Sequence, residues 1–154
     1  GGLGRFLPLK PVSSMSQISK TPTEAEETFY ASFLTLDANR MESIWAVSSE
    51  VFCIHPGGEL LQGRDAVMKS WLDIFASSDP PRLEYRLLYS RHEEKVAIHL
   101  VEEDIRPRGS SRRGALVLST NTYVSEGEGW KLFSHHASLP MLKRGGTKPD
   151  RKMH

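Results

Sequence analysis

Histidines occupy the positions of this chain where a side chain could carry acid–base chemistry. His55, His99 and the adjacent pair His135 and His136 lie within or at the end of apolar segments. The imidazole pKa lies near neutral pH, so each ring can accept or donate a proton under physiological conditions. Neighbouring residues of a strand point to opposite faces, so only one of His135 and His136 can face an interior cavity.

Three imidazoles around one cavity could also bind a metal ion such as zinc. No two histidines of the chain have the i, i+4 spacing of a helical metal motif. The lone cysteine, Cys53, excludes a zinc site of several thiolates and an internal disulfide framework. We therefore predict no metal and no cofactor, and interpret the inward histidine as an orienting group or a hydrogen-bonded core residue.

Other polar residues could line the same cavity. Cys53 shares a strand face with His55, and a buried structural thiol is its simplest interpretation. Glu103 and Asp104 follow the segment of His99, and strand alternation aims one carboxylate inward, where it could pair with a histidine. A solvated strand end explains this acidic run more simply. Asn121 could donate a hydrogen bond to a ligand carbonyl. The expected lining residues are Cys53, Trp71, His99, Glu103 and Asn121.

Three helices are predicted ahead of most of the strands. Thr21, Pro22 and Glu24 form a capping box with proline at the first helical position, followed by the apolar stripe Phe29, Phe33 and Leu36. A second, short helix is expected after a cap at Asn39. A third begins near Gly63 and stops at the proline pair 80–81, and its apolar side is Val67, Trp71, Ile74 and Phe75.

Strands account for the rest of the domain. A short strand at 51–54 precedes the third helix, and four more follow at 83–89, 96–101, 116–124 and 130–137. The run 127–129, Gly-Glu-Gly, predicts a hairpin between the last two. The loop 106–114 carries four arginines, which we interpret as a solvated hairpin tip. This order of elements indicates an α+β fold with an antiparallel sheet.

Charge divides the 154 residues into three parts. Residues 1–22 have three basic residues and no acid, whereas 141–154 have five basic residues and one acid. Residues 23–140 have 12 basic and 18 acidic residues, so we expect one acidic domain between two basic tails. The basic, acid-free start could be the remainder of an organellar, mitochondrial leader or equally a flexible arm, in which case the expected location is cytoplasmic. No apolar run is long enough to span a membrane, and nucleic acid is a minor candidate partner.

Two distant segments resemble the SnoaL-like group of the NTF2-like superfamily, which is also called ketosteroid-isomerase-like or cystatin-like. One is the run 52–58, Phe-Cys-Ile-His-Pro-Gly-Gly, followed by Gly63, Ala66-Val67 and Ser70-Trp71. The other is 120–123, Thr-Asn-Thr-Tyr, followed by Trp130 and 135–138, His-His-Ala-Ser. The resemblance covers residues 23–140. It implies a cone, in which a curved antiparallel sheet wraps around the N-terminal helix and leaves a pocket at its open end.

The resemblance also suggests roles for individual residues. His55, directly before a proline, occupies the slot of the general base in steroid-isomerase relatives, and Tyr30 lies near the slot of their oxyanion-binding tyrosine. Their second oxyanion donor, an acid, would fall near Thr120, which is not an acid. His135 or His136 would orient the base. The set is thus incomplete by comparison with these relatives.

Two functions remain open at this point. The first is a non-catalytic interaction domain, an accessory or assembly subunit of a larger complex, held through its tails and outer sheet face or as a homodimer. The second is a cofactor-independent isomerase, dehydratase or cyclase, or a binder of a small apolar ligand, acting next to a carbonyl through the histidine-lined pocket. We favour the first, because the catalytic set is incomplete and the tails are basic.

Overall fold

The computed structural model describes residues 18–77, 79–106 and 114–142. Most of the two basic tails, at 1–17 and 143–154, and most of the arginine-rich loop, at 107–113, lie outside the described residues. Within them the fold is α+β: three helices pack on one side of a curved, open sheet. No helix of this described part is long and apolar enough to cross a membrane.

The three helices begin at capping side chains or turns. Helix α1 spans Pro22–Thr35, and the Thr21 hydroxyl accepts a hydrogen bond from the Glu24 amide at 3.0 Å, as the capping box predicts. Helix α2 spans Ala38–Ile44 and is capped by Asp37 instead of the expected Asn39. Helix α3 spans Arg64–Ser77 and follows Gly63, whose φ is +90°.

Seven strands form the sheet. They are β1 (Phe52–Ile54), β2 (Leu61–Gln62), β3 (Arg82–His92), β4 (Val96–Arg106), β5 (Ala115–Glu126), β6 (Gly129–Ala137) and β7 (Met141–Leu142). Their spatial order is β2-β1-β6-β5-β4-β3, and β7 pairs with β5 beyond the end of β6. Bulges interrupt the β3–β4 register at Leu88 and the β5–β6 register at Phe133. Bulges bend strands, so they favour the curvature of this sheet.

The sheet differs from the prediction in one pairing. β1 lies parallel to β6, with Cys53 opposite His135, so the sheet is mixed and not wholly antiparallel. The segment between β1 and β6, which contains one helix and four strands, does not determine this direction locally. The direction depends on where β1 joins the sheet. The parallel pairing places the end of β1, and with it His55, beside the inward face of β6.

The core lies between the helices and the concave face of the sheet. Phe29 of α1, Trp71 of α3 and Leu132 of β6 are fully buried in it, together with Trp45 just after α2. Phe29 meets Trp71 edge to face, with ring centroids 5.6 Å apart. Polar residues enter the same interior from α1 and from three strands, and they form the candidate site.

Candidate functional site

Seven buried polar side chains meet inside the cone. Helix α1 presents two of them on the side that carries Phe29, because Glu26 and Tyr30 are one turn apart. Strands β4, β5 and β6 present the others at alternate, inward positions. The set is Glu26, Tyr30, His99, Glu103, Asn121, Tyr123 and His135. Burying so many polar groups is costly unless they bond to one another, and the contacts show that most of them do.

A chain of hydrogen bonds with one direction links four of these residues. His135 Nδ1–H donates to Asn121 Oδ1 at 2.6 Å, and Asn121 Nδ2 donates to the Tyr30 hydroxyl at 3.0 Å. The Tyr30 hydroxyl in turn donates to Glu103 Oε2 at 2.5 Å. Because an amide oxygen can only accept, Asn121 fixes the proton of His135 on Nδ1. The chain therefore ends on the carboxyl group of Glu103.

A second branch converges on Glu26. Its Oε2 accepts a hydrogen bond from the Tyr123 hydroxyl at 3.0 Å and a longer one, 3.4 Å, from Asn121 Nδ2. Its Oε1 lies 3.1 Å from His99 Nδ1, although the ring N–H is not aligned with this oxygen. Glu26 and Glu103 thus place two carboxyl groups in one interior, joined through Asn121 and Tyr30.

Burial sets the protonation of this network. It raises the pKa of Glu103 to about 7, against the lowering effect of the Tyr30 hydrogen bond, and the nearby Glu26 carboxylate raises it further. Burial lowers the pKa of His135 to about 3, helped by the charges of His55 and His136. The pKa of Tyr30 is raised well above 10.0, first by burial and then by Glu103. At neutral pH His135 and Tyr30 are uncharged, while Glu103 is poised to gain or lose a proton.

His55 lies at the edge of this interior, half-buried, directly after β1. The turn 55–58 holds its backbone: the Gly58 amide donates to His55 O at 2.7 Å, and Gly57 has φ +74°. Helix α3 holds its ring, since Ser70 Oγ lies 2.9 Å from Nε2 and the Trp71 ring packs edge to face at 4.8 Å. Burial lowers the pKa of His55, so the ring is neutral at pH 7. A neutral, half-buried imidazole can accept a proton from a ligand.

Cys53 lies between His55 and His135 as a buried thiol. Its Sγ is 3.7 Å from His55 Nε2, and it is the β1 residue opposite His135. Burial raises the pKa of its thiol to about 12, so the thiolate that nucleophilic attack needs is absent at neutral pH.

The structure brings most of the predicted site residues together and moves one away. His55, Tyr30, His135, Cys53, Trp71, His99, Glu103 and Asn121 all border the same interior. His136 is exposed on the outer face, opposite Thr120, so His135 is the member of the pair that faces the interior. The interpretation of Glu103 as part of a solvated strand end was wrong: β4 runs on to Arg106, and Glu103 is buried against Tyr30.

Sequence reasoning missed three residues of the site. Glu26 and Tyr123 carry the second branch, and Ser70 contacts His55. The spacing of Glu26 from Phe29 and Tyr30 places it on the buried side of α1, which was a usable signal. Within the described residues, no group of three or more histidine, cysteine or acidic side chains has an arrangement that could hold a metal ion.

Comparisons with known proteins identify the family of this architecture. The family model of the SnoaL-like domain matches residues 23–142. One solved structure, assigned as a calcium/calmodulin-dependent protein kinase type II association domain from Thiobacillus denitrificans ATCC 25259, is 32% identical, with a TM-score of 0.77 over 81% of this chain and 98% of that one. An NTF2-like family protein from Streptomyces avermitilis, assigned as a dehydratase, is 31% identical, with a TM-score of 0.66 over 77% and 92%.

A more distant neighbour shares only the fold. It is a ketosteroid isomerase-like protein from Erwinia carotovora atroseptica SCRI1043, 12% identical, with a TM-score of 0.64 over 79% of this chain and 94% of that one. No curated protein matches the sequence. The family match, the cone of helices and curved sheet, and the polar interior agree, and the chain therefore belongs to the SnoaL-like domain family of the NTF2-like superfamily.

Proposed function

We propose that this SnoaL-like domain binds a small, largely apolar carbonyl compound at the His55 side of the cone and catalyses proton transfer next to the carbonyl. Isomerisation and dehydration are the reactions of this class. The observation that carries the proposal is the pairing of Tyr30 with Glu103, an acid whose pKa is raised to about 7, in the same interior as the neutral ring of His55. An oxyanion donor and a base are the two groups that enolisation requires.

Each residue then has a defined task. His55 removes the proton from the carbon next to the carbonyl and becomes imidazolium. Tyr30 donates its hydroxyl hydrogen to the oxygen that develops negative charge. When Glu103 is protonated, its O–H can donate to the Tyr30 oxygen, which releases the Tyr30 hydrogen for the substrate and strengthens it as a donor. Return of the proton from His55 to another carbon completes an isomerisation, and transfer to a leaving hydroxyl completes a dehydration. None of these steps needs a cofactor.

The position of Glu103 favours the small-molecule function over the non-catalytic one. The acid slot near Thr120 is empty of acid, but Glu103 of β4 supplies a carboxyl group to Tyr30 from a different strand position. The Streptomyces avermitilis relative, 31% identical and assigned as a dehydratase, supports chemistry of this kind. We therefore place the small-molecule function ahead of a purely non-catalytic one.

A ligand-induced shift in melting temperature tests the proposal. The probe is 2-naphthol, a planar phenol whose oxyanion resembles an enolate. Saturating 2-naphthol should raise the melting temperature of the wild-type protein, because a ligand that binds only the folded state stabilises it. His55→Ala should give a smaller shift, corresponding to an apparent affinity for 2-naphthol at least tenfold weaker than that of the wild type. His136→Ala, on the outer face, is the matched control and should leave the shift unchanged. An undiminished shift in His55→Ala would contradict the proposal.

A second candidate, assembly through the outer sheet face, is favoured by a separate observation. Apolar side chains remain exposed there, among them Ile98 and Leu118 at 39% and 40%. The 32% identical relative is assigned as an association domain. We propose that this face contacts protein, in a homodimer or in a larger complex. An organellar location and a contribution of the basic tails remain predictions from the composition of residues 1–22 and 141–154.

A further inference from the structure

The contacts of Ser70 determine which nitrogen of His55 carries the proton. Ser70 Oγ lies 2.7 Å from the carbonyl oxygen of Val67, one turn earlier in α3, and 2.9 Å from His55 Nε2. A serine hydroxyl has a single hydrogen. The Val67 oxygen can only accept, and two oxygens at 2.7 Å repel each other unless a hydrogen lies between them. The Ser70 hydrogen therefore points at Val67, and Ser70 Oγ accepts from His55.

The bond to His55 then has a fixed direction. Nε2 must carry a hydrogen to donate to Ser70 Oγ, and a neutral imidazole has only one such hydrogen. The Nδ1 atom is consequently the nitrogen with the free lone pair. The Cys53 sulfur, 3.7 Å from Nε2, agrees with this direction, because its protonated thiol can accept weakly from the same N–H.

We propose that Ser70 is a positioning residue that holds neutral His55 in the tautomer protonated on Nε2 and leaves Nδ1 as the basic nitrogen of the site. Orienting a histidine through its second nitrogen is a task that carboxylates or backbone carbonyls often perform in proteins. Here a helix performs it through a relay: the Val67 carbonyl orients the Ser70 hydroxyl, and the hydroxyl orients the ring. The part of the inference that makes Nδ1 the base rests on the proposed function, whereas the tautomer does not.

The surroundings explain why one hydroxyl suffices to hold the ring. The turn 55–58 fixes the backbone of His55, and the Trp71 ring packs edge to face against the imidazole at an interplanar angle of 78°. Ser70 and Trp71 are consecutive on α3, so a single segment of helix supplies both the hydrogen bond and the packing surface. A change in the Ser70 hydroxyl should therefore alter the tautomer of His55 without displacing its backbone.

Nitrogen-15 NMR of the histidine rings tests the tautomer directly, without any ligand. Protonated and unprotonated ring nitrogens have well-separated shifts, and the spectrum of His55→Gln identifies the His55 signals. At a pH where His55 is neutral, the wild-type protein should show a protonated Nε2 and an unprotonated Nδ1. In Ser70→Ala the two shifts should move toward each other as the second tautomer becomes populated, and Ser70→Thr, which keeps a hydroxyl, should restore the wild-type pattern.

Two results would overturn the inference: a wild-type ring protonated on Nδ1, or identical His55 shifts in the wild type and Ser70→Ala. The wild-type measurement decides the first point even where Ser70→Ala does not fold. The expected tautomer without any binding of 2-naphthol would reject the proposed function alone. Binding that requires His55, observed with the opposite tautomer, would reject the role of Ser70 alone.

Discussion

Two residues of the interior, Glu103 and His135, respond to burial with opposite effects on stability. Burial raises the pKa of Glu103 from 4.5 to about 7, so the folded protein holds a proton that the unfolded chain has released between these values. Its contribution to stability is therefore present at low pH and lost as the pH rises toward 7. Burial lowers the pKa of His135 from 6.5 to about 3, so its contribution is present above pH 6.5 and lost as the pH falls. Between pH 4.5 and 6.5 the two effects oppose each other.

Glu103→Gln separates these effects. The variant removes the titrating acid, so its stability relative to the wild type should increase by about 3 kcal/mol between pH 4.5 and pH 8. What remains in the variant is the effect of the two histidines whose pKa burial lowers, His135 and His55, and both increase stability as the pH rises to 6.5. Urea unfolding at a series of pH values measures both. Glu102→Gln, on the outer face of the same strand, is the control for loss of one acidic side chain. A difference in the free energy of unfolding between Glu103→Gln and the wild type that does not change with pH would contradict the prediction.

For single residues, the sequence predicted which side chains line the interior but not which hydrogen bonds they form. Strand alternation was enough to show that His135 and His136 diverge, yet not which one faces inward, because that depends on the register of β6. Glu103 looked like a solvated strand end because three acids in a row obscure the alternation of burial. Only the contact with Tyr30, 73 positions earlier in the chain, distinguishes it from its neighbours.

Among the elements, the turn after β1 connects the fold most directly to the site. The Pro56-Gly57-Gly58 sequence is typical of a turn, and φ +74° at Gly57 lies in the left-handed region that favours glycine. A Cβ at Gly57 would lie 2.8 Å from Leu139 Cδ2, but Leu139 is 70% exposed and its side chain can move away. The backbone conformation, and not this contact, therefore accounts for most of the cost of a substitution.

Gly57→Ala should lower the free energy of unfolding by about 1–2 kcal/mol, the cost of a left-handed conformation in an L-residue. Gly127→Ala is the matched control, because Gly127 has φ +60° and nothing within 4 Å of its Cβ position. Both variants should lose similar stability in urea unfolding, but only Gly57→Ala should alter the His55 ring signals in NMR. Unchanged His55 signals in Gly57→Ala would show that the turn does not position the histidine.

Element prediction failed where the deciding contact is not local. The two-residue strands β2 and β7 are too short to produce a periodic pattern. The parallel pairing of β1 with β6 joins residues about 82 positions apart, as in Phe52 with Ser134, and no local feature encodes its direction. The predicted start of α2 was wrong by two residues, because the cap is Asp37 and not Asn39, and both residue types are good caps. The αL conformation of Leu36, φ 53°, ends α1 directly before Asp37 and favours the earlier cap.

For the whole molecule, the two faces of the sheet differ in composition. The concave face holds the polar interior and the core. The outer face carries rows of paired residues, such as Tyr89, Leu100, Thr120 and His136 across β3 to β6. Large exposed apolar patches often mark contacts with another protein, and Tyr89, Ile98 and Leu118 add exposed apolar surface to this face. The outer face is separate from the proposed site inside the cone, so the two proposed functions are compatible within one chain.

Leu118→Arg tests assembly through this face. Leu118 is 40% exposed and pairs across the strands with Glu102, so an arginine there meets an acidic neighbour and should leave the fold intact. In a homomer the substitution would bury an added charge, which is costly, and should weaken self-association at least tenfold. Sedimentation at micromolar concentration should show the wild type above the 17.3 kDa of one chain and the variant at that mass. Leu72→Arg, 46% exposed on α3, is the control and should associate like the wild type. A monomeric wild type would exclude the homodimer and leave a different protein as the partner of this face.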